Sequence, residues 1–386
     1  MNVKTALVFC IIFLSLFARL HAQSAFEIGS RFSLSSKILN EKREIWIYTP
    51  ADYKRSSDGY PVLYLLDGES HFRHVVTMVE YLSDNLMLPQ LIVVAIPNTD
   101  RIRDFTPLHS LIGLNGKEDA SIFSTSGGGD QFIRFVKEEL MPYVNKNYRT
   151  HPYAILEGHS LGGQLATYMW HALPGLFQAH IVISPAYYGA NRETLRNIAP
   201  FLQHHSNLEG RMFVAIGEEP RLQSHADSLV QMLTSLSPSS FHWKYQKYED
   251  DDHGSVGHAA LHDGLRFIFE DWYLNMNDSL QAPGAREVKA HFEKLSGIYG
   301  YDMKPAEQFV NFAGFRNIDF KKYDLAIDVF RVNEKNFPNS SLSYVGLGEA
   351  SRLKGDTVSA LRYYRKAVSL YSKAFYARRM IRELKK

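Results

Sequence analysis

The chain of 386 residues has room for about two domains at roughly 150 residues each. Hydrophobic residues at 45 % and charged residues at 22 % are ordinary for a globular chain and exclude wholesale disorder. A formal net charge of +2 gives no broad electrostatic reason to expect nucleic acid or an anionic membrane as partner.

Met1–Lys4 carries one basic side chain, and Thr5–Phe17 is an almost unbroken apolar run that leads into Ala18, Arg19, Leu20, His21 and Ala22. The pattern predicts a secretory signal peptide over residues 1–22 and hence a secreted or periplasmic chain, with no membrane association after cleavage. The run falls short of the roughly 20 apolar residues that a membrane span needs. Cys10, the only cysteine, lies inside it, so the mature chain would have no disulfide and must rely on its core.

From residue 23 to 274 strands and helices alternate. Arg43–Tyr48 alternates in part as a half-buried strand should, whereas Pro61–Leu66 and Gln90–Ile96 are continuous apolar runs, as in strands covered on both faces. Asp130–Val144 reads as an amphipathic helix, with Phe132, Phe135, Val136, Leu140 and Val144 at helical spacing. Tyr153–Leu156, Ala179–Ile183, Arg211–Ile216 and Phe241–Tyr248 read as further strands, and Gln164–Trp170 and Ala259–Trp272 as helices. The order predicts an α/β fold with a mostly parallel central sheet. Residues 275–285 are rich in turn formers and read as a linker. Beyond them, residues 286–386 read as a small all-α domain with a period of 34: Gly314 recurs as Gly348, Ala326 as Ala360 and Phe330 as Tyr364. Leu347-Gly348, Ala360, Tyr364, Ala367 and Pro338 resemble the tetratricopeptide pattern. As a separate domain, this tail could be deleted with some activity retained; it either docks on the core or offers a surface for a protein partner or self-association.

The chemistry centres on Gly158-His159-Ser160-Leu161-Gly162, a G-x-S-x-G motif between a strand and a helix. That setting suits a nucleophile elbow, a tight turn that lifts the serine to the helix N-terminus, where the dipole favours a developing anion. A serine needs a base. His253, on the polar loop Asp250–Val256 after a strand, is the candidate; His258 and His262 fit a helix surface better and lack the glutamate of H-E-x-x-H, so no metal site is expected. The orienting acid should follow a strand between the two, which points to Glu219 or Glu218, with Asp250, Asp251 and Asp252 as rivals. Oxyanion donors are expected at the N–H of Leu161 and at Gly68 or Glu69, on the loop after Val62–Leu66. Tyr187, Tyr188 and Arg103 are candidate substrate contacts, although Arg101, Arg103 and Asp104 suit an ion-paired loop better and core packing fits at least one of the tyrosines equally well. Gly127-Gly128-Gly129 lacks the setting and lysine of a phosphate loop, and no cofactor is expected.

Five stretches, Pro61–Phe72, Asn98–Pro107, Gly158–Gly163, Ile183–Tyr188 and His253–Val256, resemble the bacterial putative-esterase family, the esterase D-like branch of the α/β-hydrolases. The resemblance spans roughly residues 35–275. It implies hydrolysis of carboxylic esters through an acyl-enzyme, with Ser160 and His253 in the catalytic positions and a small-molecule or glycan-linked ester as substrate. An acyltransferase on the same triad would differ only in letting an acceptor alcohol outcompete water. A repeat-mediated binding protein on a hydrolase scaffold would have no use for both Ser160 and His253.

Overall fold

The computed structural model describes residues 27–54, 57–113, 116–189, 192–272 and 282–386. The expected signal peptide and most of the expected linker lie outside the described residues. Eight strands form one sheet in the order β1-β2-β4-β3-β5-β6-β7-β8. They are β1 Ser30–Ser36, β2 Glu41–Tyr48, β3 Tyr60–Leu65, β4 Ile92–Ala95, β5 Thr150–His159, β6 Ala179–Ile183, β7 Gly210–Ile216 and β8 Phe241–Lys247. Only the β1–β2 and β2–β4 pairings are antiparallel; the other five neighbours run parallel. Strand β1, which the sequence does not advertise, is an edge strand with five of its seven residues polar serine or arginine.

Period-two alternation divides the core between the two sheet faces. Leu63, Leu65, Ile155, Ile181 and Ile183 face one side, with helix α1 (Gly68–Asp84) and the helix Val256–Ile268 packed on them. Val62, Tyr64, Leu66, Leu156 and Val182 face the other, under α2 (Leu161–Ala172) and α3 (Pro220–Leu236). The expected helix over 130–144 runs as Gly129–Phe135, a π turn Val136–Leu140 and Met141–Asn147. We label Val256–Ile268 α4.

The helical tail comprises α5 Ala285–Tyr299, α6 Glu307–Asp319, α7 Tyr323–Asn336, α8 Ser341–Lys354, α9 Thr357–Leu370 and α10 Phe375–Glu383. Positions one period apart make matching contacts. A Cβ on Gly314 would lie 2.5 Å from the Phe330 ring, and one on Gly348 would lie 2.7 Å from Tyr364, so the small residue admits the ring of the next helix. The tail is nevertheless not independent of the sheet. Val288, Phe292, Leu295 and Tyr299 of α5 are buried in the same core as Tyr153, Phe269 and Trp272. Tyr299 Oη donates to Ile268 O at 3.1 Å, and the His291 ring nitrogen meets Trp272 O at 3.0 Å. The expectation of a separable tail rests on the turn formers before it; one core that α4 and α5 share contradicts free separation.

Candidate active site

Four loops at the carboxyl ends of parallel strands bring the candidate residues together. Ser160 follows β5 and caps α2 with φ 61° and ψ −118°, a region an L-residue occupies at a cost of about 1–3 kcal/mol. The turn is held from both sides: Ser160 N–H donates to Ile183 O at 2.9 Å, and Ala186 N–H donates to Ser160 O at 3.1 Å. Gly158 has to be glycine here, because a Cβ would sit 2.2 Å from Gly162 O.

His253 lies on the turn before α4. Its Nδ1 is 2.5 Å from Glu219 Oε2, and its ring packs on that of His159 at a centroid distance of 4.6 Å. Glu219 caps α3 after β7 and is 8 % exposed. Its other oxygen accepts from Ser184 Oγ at 2.5 Å and Gly217 N–H at 3.1 Å. Burial opposes the charge on Glu219, but the hydrogen bonds from His253, Ser184 and Gly217 prevail and hold its carboxyl below the usual range. The neighbouring Glu218 points outward and pairs with Lys247 at 2.6 Å. Asp251 and Asp252 close the His253 turn instead, with Asp252 Oδ1 accepting from the N–H groups of Gly254 and Ser255. Among the described residues no hydrogen bond joins Ser160 Oγ to the His253 ring.

On the opposite side of the elbow, the expected loop after β3 is the start of α1, with Asp67 in the left-handed region at φ 51°. Gly68 N–H is spent on Ile96 O at 3.1 Å, which removes Gly68 as an oxyanion donor. Its glycine identity answers a close approach instead: a Cβ would lie 2.8 Å from Ile96 N. The N–H groups of Glu69 and Leu161 are left without a partner among the described residues, each at a helix N-terminus. Arg101 fastens the two turns together: its guanidinium pairs with Asp67 at 2.6 and 2.9 Å and reaches His159 O at 3.3 Å. Asn98 ties Asp67 to Glu69. Sequence reasoning passed over Ser184, Asp67 and Asn98, although all three fall in stretches that carry the family resemblance.

Two candidate substrate contacts are corrected. Arg103 is committed to Glu41 and Asp104 in a network with Arg43, whose guanidinium meets Asp104 at 2.6 Å with both side chains fully buried. Tyr187 is fully buried, its hydroxyl 2.7 Å from Thr167 Oγ1. Tyr188 is only partly buried and, with Phe123, Thr106 and Gln164, lines a cavity of about 140 Å³ that runs along α2 as far as Ala172.

Beneath the elbow, Glu157 of β5 is 3 % exposed and burial, reinforced by Asp67, pushes its carboxyl well above the ordinary range, so it is held neutral. An acid raised in the folded state loses stability as pH rises, because above its unfolded value of 4.5 the unfolded chain has released the proton that the folded chain retains. Stability should therefore fall from about pH 4.5 up to the raised folded value, and Glu157→Gln should flatten that slope; thermal melts across pH check this.

Comparison with known proteins shows the family. A family model described as "Putative esterase" matches residues 36–269, and the chain belongs to this family of ester hydrolases. The ferri-bacillibactin esterase BesA of Bacillus subtilis is 27 % identical over 252 residues, covering 61 % of this chain and 87 % of that protein. A siderophore enterobactin esterase of Emericella nidulans is 25 % identical over 253 residues, covering 53 % and 81 %. Among solved structures, an IroE-like serine hydrolase from Shewanella oneidensis superposes with a TM-score of 0.68 at 26 % identity, covering 80 % of this chain and 99 % of that one. An uncharacterised protein from Capnocytophaga ochracea shares the fold over 92 % of this chain and 99 % of its own, with a TM-score of 0.59 at 18 % identity.

Proposed function

We propose that the chain hydrolyses carboxylic esters through an acyl-enzyme on Ser160, with His253 as general base and Glu219 as the orienting acid. The observation that carries this reading is the 2.5 Å contact of His253 Nδ1 with a buried glutamate while the same ring packs beside the elbow. Glu219 fixes the tautomer with the proton on Nδ1, which leaves Nε2 to take the Ser160 proton during attack. The N–H groups of Leu161 and Glu69 receive the developing oxyanion, and His253 then returns the proton to the leaving alcohol. Water repeats the sequence to release the acid. The pocket beside Tyr188 would hold part of the substrate.

The relatives named for ferri-bacillibactin and enterobactin support a siderophore ester as substrate. The test is product analysis of enterobactin and p-nitrophenyl butyrate incubated with the chain. Cleavage of both is expected; cleavage of the nitrophenyl ester alone would remove the siderophore assignment, and cleavage of neither would remove the esterase mechanism. Glu219→Gln should lower kcat by about 10⁴-fold, as removal of the orienting charge does in serine hydrolases, whereas Glu218→Gln should leave it unchanged. Equal losses from the two would assign the acid elsewhere. We further read the tail as two tetratricopeptide-like repeats, from the matched Gly314–Phe330 and Gly348–Tyr364 contacts, and the chain as exported, from its N-terminal apolar run.

A further inference from the structure

The net charge of +2 conceals a segregation along the chain. Residues 357–386 hold nine Lys and Arg against one acidic residue, Glu383, whereas the rest of the chain holds 34 basic and 40 acidic residues. All nine cations are exposed on α9, α10 and the segments beside them. Of the nine, only Arg379 forms an ion pair among the described residues, with Glu383 at 3.8 Å, while Arg362 also feels Asp356 at the start of α9. The total therefore says little about the partner of this end of the molecule.

Helix α10 turns Ala377 and Met380 inward against α9 and leaves its other sides open. Phe375 is 74 % exposed on it. Together with Val368 of α9, Phe375 and Ile381 share an open groove with Arg378, Arg379 and Arg382. Apolar and aromatic side chains interleaved with guanidiniums are the composition of a helix that lies in a bilayer interface: arginines meet the phosphates and the ring enters the acyl boundary. An acidic peptide would meet the same guanidiniums without entering an acyl layer, and the poly-glutamate arm of the test separates it from a bilayer. The groove's side chains include neither a carboxylate nor an amide.

We propose that the α9–α10 end is a docking surface for an anionic lipid bilayer, holding the hydrolase at a membrane by charge and shallow insertion. The test is co-sedimentation of the full chain, read by gel, with phosphatidylcholine vesicles and with the same vesicles containing phosphatidylglycerol. The N-terminal run, flanked by Lys4 and Arg19, is the same in every variant, so the part of the excess that the substitutions below remove isolates the charged surface. That excess should disappear in high salt. Reversal of two exposed cations, Arg378→Glu with Arg382→Glu, should reduce it by at least about tenfold. The milder Arg378→Gln with Arg382→Gln should reduce it less and keeps the test valid where the reversal misfolds. Equal partition onto both vesicles, an excess indifferent to these changes, or capture by poly-glutamate without any excess on lipid would each overturn the proposal.

Discussion

Ser160→Ala should lower kcat on p-nitrophenyl acetate and butyrate by about four to six orders of magnitude while leaving the protein folded. Removing the hydroxyl deletes the group that forms the acyl-enzyme, and what survives is the contribution of the Leu161 and Glu69 N–H groups and of substrate binding. The fold should be indifferent because the elbow is held by backbone bonds from Ser160 N–H and to Ser160 O, with no hydrogen bond to His253 from its side chain. Initial rates beside thermal melts decide the matter. A variant that hydrolyses both esters at the wild-type rate would sink the Ser160 mechanism.

The second large effect is on stability. Deleting residues 286–386 should abolish cooperative unfolding, contrary to what a separable tail would allow. Val288, Phe292, Leu295 and Tyr299 are between 0 and 3 % exposed, and they cover Tyr153, Phe269 and Trp272 of the hydrolase core. Truncating any one large buried side chain costs roughly 2–5 kcal/mol. Losing the four together, on the order of 8–20 kcal/mol, is as large as the roughly 5–15 kcal/mol that keeps a typical domain folded. Removing α10 alone should be far milder, since it buries only Ala377 and Met380. Urea denaturation of the two truncations separates these cases; a soluble, cooperatively folding 27–285 fragment would show that the shared core is dispensable.

Much of the site was legible because its parts are local. The elbow is a contiguous strand–turn–helix whose glycines are required within six residues, and the His253 loop lies directly after a strand. Continuous apolar runs marked β3 and β4 because both of their faces are buried. Strand β1 escaped because its edge position leaves it polar. Helix α1 begins on Asp67-Gly68, a pair that looks like any tight turn until the chain beyond it is packed.

The α/β order, the strand–turn–helix around Ser160, the loop that carries His253 and the period of 34 in the tail can all be read from neighbouring residues. Only the tertiary structure decided between adjacent candidates. Glu218 and Glu219 differ by one position, and which carboxylate turns inward depends on His253 and Ser184, 34 and 35 residues away. Gly68 N–H was claimed by Ile96, Arg103 by Glu41 and Asp104, and Tyr187 by Thr167. The turn formers before the tail suggested a boundary, yet α5 buries an apolar face against Tyr153, Phe269 and Trp272, because a helix with such a face must cover it with something.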